Sequence, residues 1–404
     1  MTPTPGDHRE SVDDHHARVA ALLAGLRPTG SETVPLEAAL GRRLSEPVHS
    51  VVALPPFRNA QMDGIAVRAT DLAGGRALPV VGTIAAAPGA VAPLAPGTAL
   101  RIMTGAPVPE GADAVVPIER VVITATDAGE TAVVADAVQP GAFIREAGGD
   151  LPAGGEVLAA GTVLAPRHLA ALAAAGRDRV EVARRLRLAV ISTGAELAPP
   201  GETLRAGQIF DANGPALAAA ARAAGCEVVL QERTSDDPDD FARVLARAAA
   251  TAEVIVTAGG ISQGEFEVVR EVLEPFGAWV GSLALQPGGP QATARVDGVP
   301  VLCFPGNPVS AQLSFELFLA PVLREVAGIP ARTTESRRLT VDLDSVADRV
   351  QLVRARAEPQ SGIAPVAGPG SHLVVAMAHA DRVIVVPAET THLPAGSEVT
   401  AWVL

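Results

Sequence analysis

At 404 residues the chain exceeds what one hydrophobic core usually organises, and length alone sets a prior of roughly three domains. A formal net charge of -13, no Tyr, nine Phe and two Trp leave neither a basic footprint nor aromatic platforms, which argues against nucleic acid as a partner. No apolar run reaches membrane-span length, and the opening MTPTPGDHRESVDDHH is polar where a secretory leader would be basic and then apolar, so a soluble cytoplasmic protein with no membrane association is expected. Cys226 and Cys303 both stand in apolar, strand-like text, which reads as reduced core thiols. The positive mean hydropathy reflects the alanine load rather than large side chains.

From about His15 to Leu26 the apolar positions Val19, Leu22, Leu23 and Leu26 recur at helical spacing and predict a short amphipathic helix. His15 and His16 fall at its polar start and read as solvated, because adjacent helical residues face different directions. From about 51 to 138 short β-branched runs broken by Pro and Gly predict a small all-β unit. A Gly-rich passage then leads to an Ala-rich helix near 166–176, a connector expected to pack back on the first helix. From about 186 to 328 strands and helices alternate, the signature of a parallel sheet with helices on its faces. Alternating strand text from about Thr333 onward predicts a small closing β domain. The fold class is therefore multi-domain α/β. Its expected domains are 1–50 plus 141–180 as an elongated mixed connector and dimerisation domain, 51–140 as a small β domain, 181–330 as a central doubly wound parallel-sheet domain, and 331–404 as a second small β domain.

Ligands of open α/β sheets bind beyond the carboxyl ends of the strands, which directs attention to four loops: Ser192–Gly214, Thr234–Asp240, Thr257–Glu267 and Phe304–Ser310. Each pairs small residues that expose backbone amides with carboxylates or hydroxyls. Taken singly, SDDP, GG and DANGP are ordinary turns and caps; together they predict a polar pocket. Its candidate cofactor contacts are Ser192, Thr193, Gly194, Asp211, Gly259, Gly260, Ser262, Gly264 and the turn Pro305, Gly306, Asn307, Pro308 with Ser310. In that turn Pro305 cannot continue a sheet ladder, Asn307 is a preferred N-cap, and Pro308 suits the first helical position. No G-x-G-x-x-G follows the first strand, and no P-loop, H-E-x-x-H or nucleophile elbow occurs, which disfavours dinucleotide dehydrogenases, P-loop ATPases, zincins and α/β-hydrolases. An acidic pocket accepts a phosphorylated ligand through a divalent cation, and hard oxygen donors suit Mg²⁺.

FRNAQMDGIAV (57–67), RIMTGAPVPEGADAVV (101–116), REAGGDLPAG (145–154), STGAEL, SDDP, GGISQGEFE, QPGGP and PGNPVSA resemble, in order and over nearly the whole chain, the motifs of the MoeA family of molybdopterin molybdenumtransferases and the gephyrin E domain. The resemblance implies an elongated homodimer of four-domain subunits with a MogA-like central domain. It also implies a transferase of molybdenum cofactor biosynthesis that takes adenylylated molybdopterin from a separate adenylyltransferase, inserts molybdate and releases AMP with Mg²⁺. By motif position Asp63, Thr104, Glu196, Asp236 and Glu267 would be catalytic, with Asp150, Glu196, Asp236 and Glu267 around the metal. Arg354 and Ser371 are weaker candidates for the cofactor, balanced against a surface strand Arg and a turn Ser. The family's K-P-G-K-P is QPGGP here, with Gln286 and Gly289 in place of two lysines; Ala195, Gly149 and Ile65 also depart from the pattern. These departures keep a second reading open at this point: a divergent, non-catalytic paralogue that binds a pterin cofactor or serves as a scaffold in the same pathway.

Overall fold

The computed structural model describes residues 9–127, 129–261 and 268–404. The chain divides into two compact units, Glu32–Val182 and Met1–Ser31 with Ala183–Leu404. In the first, a six-stranded sheet runs in the order Ala114–Pro117, Gly64–Val67, Ala99–Ile102, Leu78–Ile84, Gly129–Val134, Val121–Thr126. Strand Gly64–Val67 is buried at every position because its alternating side chains serve two cores: Ala66 packs with Ile102 and Val115, while Ile65 and Val67 pack with Ala99 and Val116. A separate small core gathers Val34, Ala39, Leu44, Leu164, Leu172 and Val180. Leu172 is the buried residue of the connector helix Pro166–Ala174.

The second unit opens with helix α1 (Val12–Leu22), begun at Ser11, whose hydroxyl accepts from the Asp14 amide at 3.0 Å. Val19 and Leu23 enter the core of the α/β sheet, so α1 belongs to that core, where the sequence places it with the connector. His15 is likewise a core residue, 1% exposed, with its ring 5.1 Å from Trp279 and 4.7 Å from Phe318. The expectation of a solvated pair is corrected for a readable reason: His15 stands four residues before Val19 on the same helical stripe. Its neighbour His16 sets Nε2 3.0 Å from the Leu317 carbonyl oxygen.

The sheet of this unit comprises β1 (Arg187–Thr193), β2 (Glu227–Thr234), β3 (Val254–Ala258), β4 (Trp279–Ser282), β6 (Pro290–Val296) and β7 (Val299–Phe304), in the order β2-β1-β3-β7-β6-β4; β5 (Leu285–Gln286) joins a different sheet. The first four are parallel, while β6 and β4 extend the sheet antiparallel. Helices cover both faces. α1, α2 (Asn213–Ala223) and α4 (Pro308–Ser314) share a core with Leu188, Val190 and Val256, and α3 (Pro238–Thr251) packs with Ala189, Ile191 and Ile255 on the other side. The doubly wound parallel core is thus present, and the antiparallel edge follows from two strands, GAWVGS and PQATARV, that the alternation of strands and helices does not announce. Cys226 and Cys303 are buried and free, each thiol pushed up to about 12 by burial, which fits inert core residues.

The last residues form β8 (Thr334–Leu339), β9 (Val350–Glu358), β10 (Gly362–Pro365), β11 (Arg382–Val386) and β12 (Glu398–Val403). They run in the order β9-β10-β8-β12-β11, and a β9–β11 pairing closes the set; β5 adds alongside β9. Among the described residues no helix is long and apolar enough to cross a membrane.

The buried imidazole makes stability depend on pH. Burial, opposed by the bond to Glu10, lowers the His15 pKa from 6.5 to about 4. Between those values the unfolded chain binds more protons than the native one, so the contribution is intact above pH 6.5 and lost as pH falls toward about 4. Urea unfolding at pH 7 and pH 4.5 should show an acid-side loss from this residue on the order of 3 kcal/mol at most. His15→Phe should remove that part of the slope; an unchanged slope in the variant would refute the assignment.

Candidate active site

The carboxyl ends of β1, β3 and β7 meet at glycine. Gly259, which follows β3 with φ +100°, approaches β1 so closely that a β-carbon would lie 2.3 Å from the Thr193 carbonyl oxygen, a distance that only glycine permits. Gly306, which follows β7, packs in turn against the Gly259 α-carbon, 3.4 Å from the position of a β-carbon. Beyond β1 the chain turns through Gly194, and the Glu196 carboxylate folds back against it. Asp236, beyond β2, accepts a hydrogen bond from the Ala195 amide at 3.1 Å. The turn Gly194–Glu196 thus touches both carboxylates, bonding Asp236 through the Ala195 amide and lying against that of Glu196 at Gly194.

The start of α2 is tied to the PGNP turn by Asn213, whose Nδ2 donates to the Gly306 carbonyl at 2.7 Å. Asp211 is buried and caps α2, its Oδ1 accepting from Gly214 at 2.9 Å. Asn307 takes the extended N-cap backbone of α4 without a side-chain cap bond, leaving its amide group for other partners.

These elements enclose a cavity of about 1030 Å³. Of the residues singled out by sequence, Thr193, Gly194, Glu196, Asp236, Gly259, Gly260, Pro305, Gly306, Asn307, Pro308, Ser310 and Ser371 line it. Ser192 and Asp211 lie beneath the wall, fully or almost fully buried. The oxygens Asn213 Oδ1, Ser192 Oγ and Gln286 Oε1 are buried without a protein partner; Asn213 and Gln286 stand on the cavity wall, where a ligand or water would satisfy them.

The Gln286–Pro290 loop and residues 369–372 also line the cavity. Gln291, 1% exposed, pins the former, donating to the Gly288 carbonyl at 2.9 Å and to Ser314 Oγ at 2.8 Å. Arg354 pins the latter. It is neither a surface residue nor part of the cavity lining: 4% exposed, it donates to the carbonyls of Gly370 at 3.0 Å and Leu373 at 3.2 Å, and to that of Gly368. Burial lowers its pKa. The loop it holds is joined to the sheet domain by a bond from the Val309 amide to the Ser371 carbonyl at 3.2 Å.

Two cations on the wall, Arg9 and Arg349, escape sequence reasoning. Arg9 is delivered by its neighbour Glu10, whose amide donates to the Ser282 carbonyl at 2.9 Å and whose carbonyl accepts from Ala284 at 2.8 Å. Arg349 is delivered by the parallel β5–β9 pairing, with Leu285 opposite Val350. Both depend on long-range register that no local pattern encodes.

The remaining predicted residues lie elsewhere. Asp63 and Thr104, in the Glu32–Val182 unit, form a rigid pair: Asp63 Oδ1 accepts from the Thr104 amide and from its hydroxyl, both at 2.7 Å. These two bonds lower the Asp63 pKa although the group is exposed. The glycine of MDG has a packing role, since a β-carbon at Gly64 would stand 1.9 Å from the Val116 carbonyl oxygen. Phe57, Met62 and Met103 in the same loops are exposed at 47%, 38% and 39%. The Asp150 amide donates to the Leu54 carbonyl at 2.9 Å and the residue is exposed. Ser262, Gly264 and Glu267 lie outside the described residues, and among the described residues no three His, Cys, Asp or Glu side chains gather into a metal-holding group.

Family models match the chain end to end. The MoeA N-terminal region (domain I and II) covers residues 10–176, a probable molybdopterin binding domain covers 189–325, and the MoeA C-terminal region (domain IV) covers 336–404. Together they describe a multi-domain α/β protein whose central sheet is of the molybdopterin-binding type. The chain is 40% identical to molybdopterin molybdenumtransferase 2 of Mycobacterium tuberculosis, over 97% of this chain and 99% of that one. It is 32% identical to the molybdopterin molybdenumtransferase of Haemophilus influenzae over 92% and 94%. The crystal structure of the molybdopterin biosynthesis MoeA protein from Pyrococcus horikoshii superimposes with a TM-score of 0.81 at 30% identity, covering 98% of this chain and 99% of that one. The chain belongs to the MoeA family.

Arg354→Met should strip three carbonyls of their donor and cost about 2–4 kcal/mol. Hydrogen exchange should accelerate at residues 368–373 before it changes at β1 or β3; uniform acceleration across the sheet would contradict a local role.

Proposed function

We propose that this chain is a molybdopterin molybdenumtransferase that inserts molybdate into adenylylated molybdopterin and releases AMP, working in the cavity at the strand tips. The observation that carries this reading is the convergence of Glu196, Asp236, the PGNP turn and Ser371 on one space of about 1030 Å³, large enough for a nucleotide-sized ligand. Ser310 and the Asn307 amide are available to orient the phosphates, and the unpartnered Asn213 Oδ1 would accept an N–H of the pterin or purine ring.

The carboxylate pair fits Mg²⁺. Glu196 and Asp236 offer oxygen donors on the cavity wall, Asp236 held by the Ala195 amide, the donor chemistry this ion prefers, with open positions left for phosphate and water. The family resemblance assigns a metal-binding role to Asp150 and Glu267 as well. When bound, Mg²⁺ offsets phosphate charge as the phosphoanhydride opens. The chain's own contribution is to position the phosphates, orient the dithiolene and hold the reacting groups at fixed distance, with no covalent nucleophile required.

The pair Asp63–Thr104 acts, in this proposal, in the cavity of a second copy within a homodimer. Its support is a carboxylate already oriented by two bonds, with one oxygen left over, among exposed Phe57, Met62 and Met103, an apolar rim suited to burial against another surface. A molybdopterin adenylyltransferase supplies the substrate in the cytoplasm. The departures at Gln286, Gly289 and Ala195 do not favour the non-catalytic reading: the Ala195 amide still holds Asp236, and Gln291 still fixes the loop beside Gln286.

AMP release from adenylylated molybdopterin in the presence of molybdate tests the activity. Glu196→Ala and Asp236→Ala should each lower it on the order of a hundredfold or more; unaltered rates would refute the reading. Mixing Asp63→Ala and Glu196→Ala subunits, each inactive alone, should restore about a quarter of the wild-type rate if the sites are shared between copies. No recovery on mixing would place Asp63 outside the partner's site.

A further inference from the structure

A second cavity, of about 360 Å³, lies in the same unit and is lined from both the sheet domain and the closing β domain. Among the described residues only Val374 also lines the strand-tip cavity, so the two spaces have separate walls. Its apolar part is made by Ala216 and Ala220 of α2, by Val374, Met377 and Ala378 of the helix Val374–Ala378, and by Val403 of β12. Its polar part comprises Gln312 of α4, Glu316, Arg324 and Arg332.

Two of these charges cancel. Arg332 is paired with Glu316, donates to the Glu316 carbonyl at 3.2 Å and lies over the Trp402 ring at 4.8 Å. Arg324 is left over. It is half-buried, its Nε is fully buried without an acceptor, and among the described residues its side chain forms no hydrogen bond, ion pair or ring contact. The helix Ala320–Ala327 carries it in its last turn, where the helix dipole accommodates a basic residue. A dipole does not supply the acceptor that a buried N–H of a charged group requires. The backbone beneath it is fixed, since the Arg324 carbonyl accepts from the Ile329 amide at 2.8 Å. The side chains of the cavity thus leave one positive charge uncompensated beside an apolar wall, in a volume suited to a small organic ligand. A dianion would lack a second counter-charge here, because Arg332 is spent on Glu316. A single carboxylate matches both the charge and the planar fork of the guanidinium.

We propose that this cavity is a second ligand site, which takes a small carboxylic acid with an apolar body and receives its carboxylate at Arg324. The assignment is independent of the reaction proposed for the strand-tip cavity. Calorimetric titration of the full-length protein with sodium octanoate tests it, with sodium acetate and 1-octanol as comparators that carry only the charge or only the apolar chain. Octanoate should bind one per chain, and each comparator about tenfold or more weaker. Arg324→Gln should weaken octanoate about tenfold or more, and Arg324→Lys should recover part of the loss, since a lysine supplies charge without the fork. Ala378→Trp, at an exposed position of the lining, should fill the apolar part and abolish binding. Melting temperatures of Arg324→Gln and Ala378→Trp should match the wild type, which separates a binding role from a structural one. The proposal is overturned if the wild type does not bind octanoate, or if Arg324→Gln binds it within about twofold of the wild type. Undiminished binding by Ala378→Trp overturns it too, by assigning the octanoate to apolar surface elsewhere. Absence of octanoate binding together with weaker self-association of Arg324→Gln in sedimentation would overturn it in favour of an acidic side chain from a second copy.

Discussion

The contact between residue 259 and the Thr193 carbonyl, too close for any β-carbon, governs the geometry of everything around it. It brings the tips of β1 and β3 together, and the turn that leaves β1 then has only a short path in which to reverse. That path presents the Ala195 amide to Asp236 and folds Glu196 against Gly194. The PGNP turn beyond β7 packs onto the same glycine, and Asn213 ties α2 to it. Two carboxylates, a helix start and a capped loop are thus consequences of one steric concession in the sheet, and backbone groups rather than long side chains set the positions of the site.

Much of this was legible in sequence because the relevant signals are local. Alternating strands and helices, Gly-Gly after VIVTA, and two prolines about Gly-Asn are read over a few residues, and they identify the strand-end loops that line the cavity. The misreadings have a common cause. The polar neighbours of His15 in sequence suggest a solvated ring, whereas its helical stripe with Val19 buries it. Arg354 reads as a surface strand arginine because nothing within a few residues reveals that a loop fourteen to nineteen positions later is folded over it. The antiparallel strands β4 and β6 carry Gly, Pro, Gln and Arg in place of a clean apolar run, and their assignment depends on pairing, of β6 with β7 and of β4 with β6, rather than on composition.

Arg354 and Arg349 are separated by five residues and show two uses of the same side chain. The first is buried and spends its donors on carbonyls, so its charge shapes a loop; the second stands on the wall of the cavity and, among the described residues, has no side-chain partner. Arg349 stands just before β9 and Arg354 within it.

The two-residue strand β5 carries a different implication. It lies in sequence between β4 and β6 of the sheet domain, yet it pairs with β9 of the closing barrel. The carboxyl-terminal segment is therefore no detachable module. Any recombination that exchanged it for a foreign domain would also have to reinvent the frame on which residues 286–290 hang, so inheritance of this cavity is tied to inheritance of both halves together.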